Sequence, residues 1–421
     1  LVGCQSWEVQ YESGALREDY HYYNDKEDGQ GIVYFENGQK MQVDNYKNGL
    51  KVGDYYEYFE DGTLATKGFF VNGKTELDTA AATTTINLAG GVVAYVTENS
   101  EFVAGKTTVN LSQSGIGVYG EKGAVVDVGT WHFNNNCNAA EEIRLREGQA
   151  KVTTNKDLKP KMVLTHVING ETYLTSTVTA VADAGYTQEE NIGLMAQGLK
   201  NTKVGITWDK GNDYEIINEG TIDFTASNKS TAIYAESARV KNDGTIKLGK
   251  SSTGIYGIYR DDTEKYAVGA VNKLEIDTTA NSNISLGTNS TGMYLVNAEK
   301  LNTAAGGTIQ SVAGETNNVG IYAINGKVDV PTTGSSAEIT EANAYNNKNA
   351  NFKTLTMTNN SNITLGNGSV GIYTRGQDNS IPSAVRNTVT NDGNITVGDT
   401  LTGAPAVGIY AENTNLTQGD T

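Results

Sequence analysis

The chain is poor in the residues that most often announce a chemistry. Only two cysteines, Cys4 and Cys137, occur in 421 residues. That excludes a disulfide-dense scaffold and suits a bacterial exported protein. The two thiols form one disulfide or are unrelated residues, and spacing alone does not decide between these. Proline is down to 4 residues, which argues against a disordered linker. No run of 18 apolar residues exists to cross a bilayer as a helix. The seven arginines do not cluster and the formal net charge is −17. Binding to nucleic acid or to an anionic membrane surface is therefore disfavoured, because phosphate contacts need grouped Lys and Arg.

Catalytic signatures are missing as well. His21, His132 and His166 lie far apart without metal-ligand spacing and read as surface or packing residues. No Gly-x-Ser-x-Gly or Gly-Asp-Ser-Gly segment and no Gly-Gly-x-Gly-x-Asp calcium repeat occurs. Asp261-Asp262 and Glu189-Glu190 read as solvated loop charges rather than catalytic pairs. Gly115-x-Gly117-x-x-Gly120 copies a dinucleotide-loop pattern, but no helix follows and the same letters recur as turns. Asn-x-Ser/Thr triplets at Asn110, Asn283, Asn362, Asn394 and Asn415 read as strand corners rather than glycosylation sites. The expectation is no enzyme, with no catalytic, cofactor-binding or metal-binding residue and no cofactor.

What is abundant is repetition. A small residue, an apolar residue and Tyr recur at Gly117-Val118-Tyr119, Ala232-Ile233-Tyr234, Gly254-Ile255-Tyr256, Gly292-Met293-Tyr294, Gly320-Ile321-Tyr322, Gly371-Ile372-Tyr373 and Gly408-Ile409-Tyr410. A second element, such as Asn242-Asp243-Gly244-Thr245-Ile246 or Asn360-Ser361-Asn362-Ile363, precedes most copies. Ile246, Ile284 and Ile363 each stand ten residues before the next Tyr, a spacing that fits two short strands joined by a Gly-Asn-Ser turn. Such recurrence marks one supersecondary unit stacked on copies of itself. Alternation places the Ile inward on the next Ile, with Gly and Tyr outward. Outward Tyr rings cover neighbours along the ladder, or serve as contacts for sugars or protein. The fold class is therefore all-β, a solenoid.

Residues 5 to about 77 differ. Gly14, Gly38 and Gly62 recur every 24 residues, as do Tyr22 and Tyr46, Phe35 and Phe59. Asn37-Gly38, Asn48-Gly49, Asp61-Gly62 and Asn72-Gly73 mark tight turns between aromatic runs, hence successive β-hairpins. This region resembles bacterial MORN-type repeats. The chain thus divides into 1–77, a hairpin-repeat cap; 78–215, irregular first coils with an inserted excursion; and 216–421, regular coils continuing beyond the chain end. In the middle part, Met162–Ile168 and Thr172–Thr175 read as a hairpin around Asn169-Gly170. Residues 139–146 read as a strand, with one or two helical turns as the alternative.

The combination of Asn-x-Gly-x-Ile strands with Ser-x-Gly-Ile-Tyr turns resembles the passenger of large fusobacterial-type autotransporter adhesins. The resemblance implies a right-handed parallel β-helix, a monomeric passenger displayed on the bacterial cell surface and tethered to the outer membrane by a barrel absent from this chain. It implies partners among host glycans or protein receptors, or the surface of partner bacteria. Binding is expected in 121–215, 257–272 or 327–352. Two alternatives are a β-helix polysaccharide lyase or hydrolase, which would need clustered Asp, Lys and Arg, and a surface lipoprotein. The second rests on Leu1-Val2-Gly3-Cys4, which looks like a processing site with Cys4 lipidated. Leu1 in place of Met marks a processed or excised piece.

Overall fold

The computed structural model describes residues 4–71, 74–77, 84–88, 91–104, 107–111, 115–127, 132–135, 140–182, 189–201, 208, 213–260, 273–328, 340, 342–343, 345–346, 353–377 and 386–419. The chain forms two compact units, Leu1–Lys151 with Val204–Ile206, and Val152–Lys203 with Thr207–Thr421. Both are built from β-strands.

The first unit begins as an antiparallel meander. Cys4–Gln10, Leu16–Tyr23, Lys26–Tyr34, Lys40–Lys47, Gly53–Tyr58 and Leu64–Val71 each pair with the next. One turn explains the 24-residue period. The amide of Phe35 donates to Gln39 O and that of Gly38 to Phe35 O, and the same bonds recur at Tyr11, Ala15 and Gly14 and at Phe59, Thr63 and Gly62. Gly14, Gly38 and Gly62 sit at φ 87°, 81° and 83°, where a Cβ would be strained.

Leu64–Val71 changes the pattern. It is antiparallel to Gly53–Tyr58 on one edge and parallel to Gly91–Val96 on the other. From there pairing is parallel and joins strands three places apart in the chain. Gly91–Val96, Gly115–Glu121 and Ala140–Arg146 form one sheet. Lys74–Leu77, Glu101–Ala104, Val125–Asp127 and Gln149–Val152 form a second. Thr84–Leu88, Thr107–Leu111 and His132–Asn135 form a third. Residues 140–146 are thus a strand. Tyr55, Phe70, Tyr95 and Tyr119 form a file of rings with successive centroids 5.0, 5.4 and 5.3 Å apart.

The second unit repeats this order for longer. Its first sheet holds Met162–Ile168, Ile192–Gln197, Thr231–Glu236, Thr253–Ile258, Thr291–Val296, Val319–Ile324, Val370–Arg375 and Val407–Glu412. The second runs from Glu171–Leu174 through Ile216–Asn218, Arg239–Asn242, Glu275–Thr278, Lys300–Thr303, Thr356–Asn359 and Asn387–Asn391 to Thr414–Gln418. The third runs from Lys156–Leu158 to Ile395–Val397. The core is three apolar columns. Ile233, Ile255, Met293, Ile321 and Ile372 come from the first sheet, Val240, Ile276, Leu301, Met357 and Val389 from the second, and Ile222, Ile246, Ile284, Ile309 and Ile363 from the third, all at most 1% exposed.

Two expectations are corrected. Met162–Ile168 and Glu171–Leu174 are not a hairpin. They pair with Ile192–Gln197 and Ile216–Asn218 respectively, and Asn169, at φ 52°, turns the chain from one sheet to the next. Among the described residues of 121–215, most lie in strands of these sheets. The triplet glycines also face inward. Gly254, Gly292, Gly320 and Gly371 are buried, since the strand breaks alternation there to give two consecutive buried residues.

Buried polar columns hold the corners. Asn218 Nδ2 donates to Asn242 Oδ1 and Asn359 Nδ2 to Asn391 Oδ1, each at 2.7 Å. At another corner the amides of Ser230, Ser252, Ser290 and Asn318 donate to the side chains of Ser252, Ser290, Asn318 and Ser369 at 2.9–3.1 Å. The Ser or Asn two residues before the Gly254, Gly292, Gly320 and Gly371 triplets therefore satisfies a buried amide of the preceding repeat, a group that would otherwise cost about 1–3 kcal/mol.

A Cβ added to Gly320 would meet Gly371 O at 2.5 Å, whereas one on Gly408, in the same column, meets nothing within 4 Å. Gly320→Val is expected to lower stability by about 1–3 kcal/mol or more, and Gly408→Val to leave it within about 0.5 kcal/mol. Urea midpoints of the two variants check this; equal losses would contradict it.

Candidate functional site

Strands of a parallel sheet lie about 4.8 Å apart, so identical residues in register stack face to face. In the second unit Tyr234, Tyr256, Tyr294, Tyr322, Tyr373 and Tyr410 do so, with successive centroids 5.2, 5.4, 4.7, 4.7 and 5.1 Å apart and planes within 15°. The file is half-buried except at Tyr410, which is 47% exposed. These rings cover one another rather than standing free on a surface.

Two residues beyond each Tyr the strand ends at the corner where the first sheet passes to the second. Some connections there are short, from Glu236 to Arg239 and from Val296 to Lys300. The three longest of the unit, 198–215, 259–274 and 325–355, leave this same corner, and 376–386 joins them. Uniform strands tolerate no added residue within the ladder, so extra chain collects where the direction changes.

The three longest connections are fastened at their bases by buried polar groups. In 198–215, the Lys200 ammonium bonds the Glu171 carboxylate at 2.7 Å, both side chains having no exposure, and donates to Tyr214 O at 2.9 Å. The Trp208 ring lies 5.3 Å from the same ammonium. Glu215 accepts the Arg239 amide at 2.7 Å and its guanidinium at 2.7 and 3.2 Å. In 259–274, Arg260 and Ser237 exchange bonds, hydroxyl to Arg260 O at 2.7 Å and Arg260 amide to the hydroxyl at 2.8 Å. His166 Nε2 and Gln197 Oε1 are 3.0 Å apart; Gln197, Tyr234 and Arg260 then converge on Glu236.

In 325–355, residues 340, 342–343 and 345–346 are helical, and Tyr345 is 4% exposed against Ile258, Val296 and Ile324. Burial is the main cause that pushes the Tyr345 and Tyr214 phenols up to about 12, Tyr214 also lying beside Asp277. Tyr234 is raised as well, first by burial and then by Glu236.

The residues singled out from the sequence fall as follows. Gly115, Gly117 and Gly120 lie inside the strand Gly115–Glu121, so their pattern is no phosphate loop. Glu189 and Glu190 pair with Lys229 and Lys161. His21 is exposed beside Gln30 O, and His166 is buried. Asp261, Asp262 and Cys137 lie outside the described residues, so the Cys4–Cys137 pairing does too. The expected loops 257–272 and 327–352 leave the shared corner, as does the end of 121–215. The connection 376–386 went unread, though the 37-residue step from Tyr373 to Tyr410 marks it. The fastening residues Glu171, Lys200 and Glu236 carry no sequence signal, being single polar residues among many.

Comparison with known protein families, curated proteins and solved structures gives no match for this chain.

A phenol whose pKa is raised in the folded state stabilises fully below its unfolded value and loses that contribution as pH rises through the folded one. For Tyr345 and Tyr214 the window runs from about pH 10 to about 12. The urea midpoint is expected to fall across this window, and less so in Tyr345→Phe. An equal fall in both proteins would contradict the assignment of Tyr345.

Proposed function

We propose that the chain is a non-catalytic, ligand-binding passenger of a surface-displayed bacterial adhesin, its second unit a right-handed parallel β-helix. The single observation that carries this reading is the gathering of the longest connections at one corner of an otherwise uniform stack. Function concentrates in segments that a rigid scaffold positions and that can change without unfolding it. The handedness follows the strong preference of parallel crossover connections. The resemblance of the triplet and Asn elements to autotransporter passengers supports display outside the cell, with a host glycan or protein receptor, or a partner bacterium, as ligand. The first unit's antiparallel meander, resembling MORN repeats, is read as the cap that starts the stack.

Replacing 325–355 by the short Asn297-Ala298-Glu299 connection tests the reading. Binding of the purified chain to host cells, bacterial cells and a glycan array should fall at least about tenfold with the β-type circular dichroism spectrum unchanged. A control that shortens 181–191, at a different corner, should bind like the parent. Undiminished binding after loss of 325–355 and of 259–274 together would overturn the proposal.

A further inference from the structure

We infer that the described residues at the bases of the connections 259–274 and 325–355 are locked to one another by Tyr345, acting as a positioning residue between them. The last residues of three adjacent first-sheet strands, Ile258, Val296 and Ile324, stand in register and make an apolar slot. The Tyr345 ring fills it. Its hydroxyl donates to Tyr259 O at 2.8 Å, across 86 residues of sequence, and accepts Asn297 Nδ2 at 2.8 Å. The Arg260 guanidinium lies 5.6 Å from the ring centroid. One side chain of the later connection thus touches both Tyr259 and Arg260, the first two residues of the earlier one.

Other contacts point the same way. Asn297, on the short connection between the two, exchanges bonds with Gly326, amide to Oδ1 at 2.6 Å and Nδ2 to Gly326 O at 3.0 Å. Lys353, at the far end of the later connection, places its ammonium 5.0 Å from the Tyr259 ring. Asn346 holds Val328 by two bonds, accepting its amide at 2.8 Å and donating to its carbonyl at 2.9 Å. Burying a phenol is favourable when its hydroxyl is satisfied. A Phe here fills the slot but leaves Tyr259 O without that donor and Asn297 without that acceptor.

The consequence is preorganisation. Ordering a long connection costs conformational entropy, and an anchor in the core meets that cost before any partner arrives. Any use of this lock in binding rests on the adhesin reading, but the lock itself is testable without a ligand.

Amide hydrogen exchange of the full chain reads it directly. The Tyr259 and Arg260 amides are bonded to Val296 O and Ser237 Oγ, and those of Gly326 and Val328 to Asn297 and Asn346. In Tyr345→Ala all four should exchange about tenfold faster or more, with the amides of Ile255 and Tyr256 unchanged. Tyr345→Phe should give a smaller rise, about threefold to tenfold, for two lost hydrogen bonds. If Tyr345→Ala does not fold, Tyr345→Phe decides alone. Parental exchange at Tyr259 and Arg260 in the folded variants would overturn the inference, whatever becomes of adhesion.

Discussion

Register between parallel strands is the constraint on which the rest depends. A parallel strand offers an unpaired edge that only another strand can satisfy. Here the strands of the second unit's first sheet are each covered by the strand three places later, with no slip across six successive tyrosines. Any residue in one repeat therefore lies directly against its counterpart in the next. Ile meets Ile or Met in the core, Tyr meets Tyr beside it, Asn meets Asn at a corner, and glycine meets a glycine carbonyl where a side chain would collide.

That constraint fixes where variation is allowed. Length cannot change within a strand without moving every inward residue outward. It changes at corners, and in the second unit mostly at the one beyond the tyrosine ladder. Long connections there open polar groups of neighbouring strands to burial, and charged partners close the gaps. A fully buried Lys200–Glu171 pair is worth little as net stability, because desolvating both ions offsets their attraction. Removing either partner alone would leave an uncompensated buried charge, which is strongly unfavourable.

Much of this was legible in the sequence because the repeat is legible. The Ile columns of the first and third sheets, the stacking of Asn, and the turns of the meander follow from period and residue type. The second sheet was not, because Val240, Ile276 and Leu301 are each a single apolar residue in a short polar strand and leave no periodic trace. The inward glycine does not follow from strict alternation, because these strands hold two consecutive buried residues there. Asn169-Gly170 is ambiguous because a left-handed corner and a hairpin turn use the same residues. For the site, only its location could be read, from irregular spacing between tyrosines. Tyr345 lies outside every triplet, and its anchoring depends on the slot left by strands far away in sequence.

Distances that count repeats rather than residues test the central claim most directly. Thr221, Thr245, Asn283, Thr308 and Asn362 are successive partners in the third sheet. With the native cysteines replaced by Ser, spin labels on the pair Thr221→Cys and Asn362→Cys should lie about 19 Å apart, and on Thr221→Cys and Thr308→Cys about 14 Å, before the reach of the label arms. The increment should stay about 4.8 Å although the long connection 325–355 lies between Thr308 and Asn362. A separation that grows with the residues inserted, or a broad distribution, would contradict stacking in register.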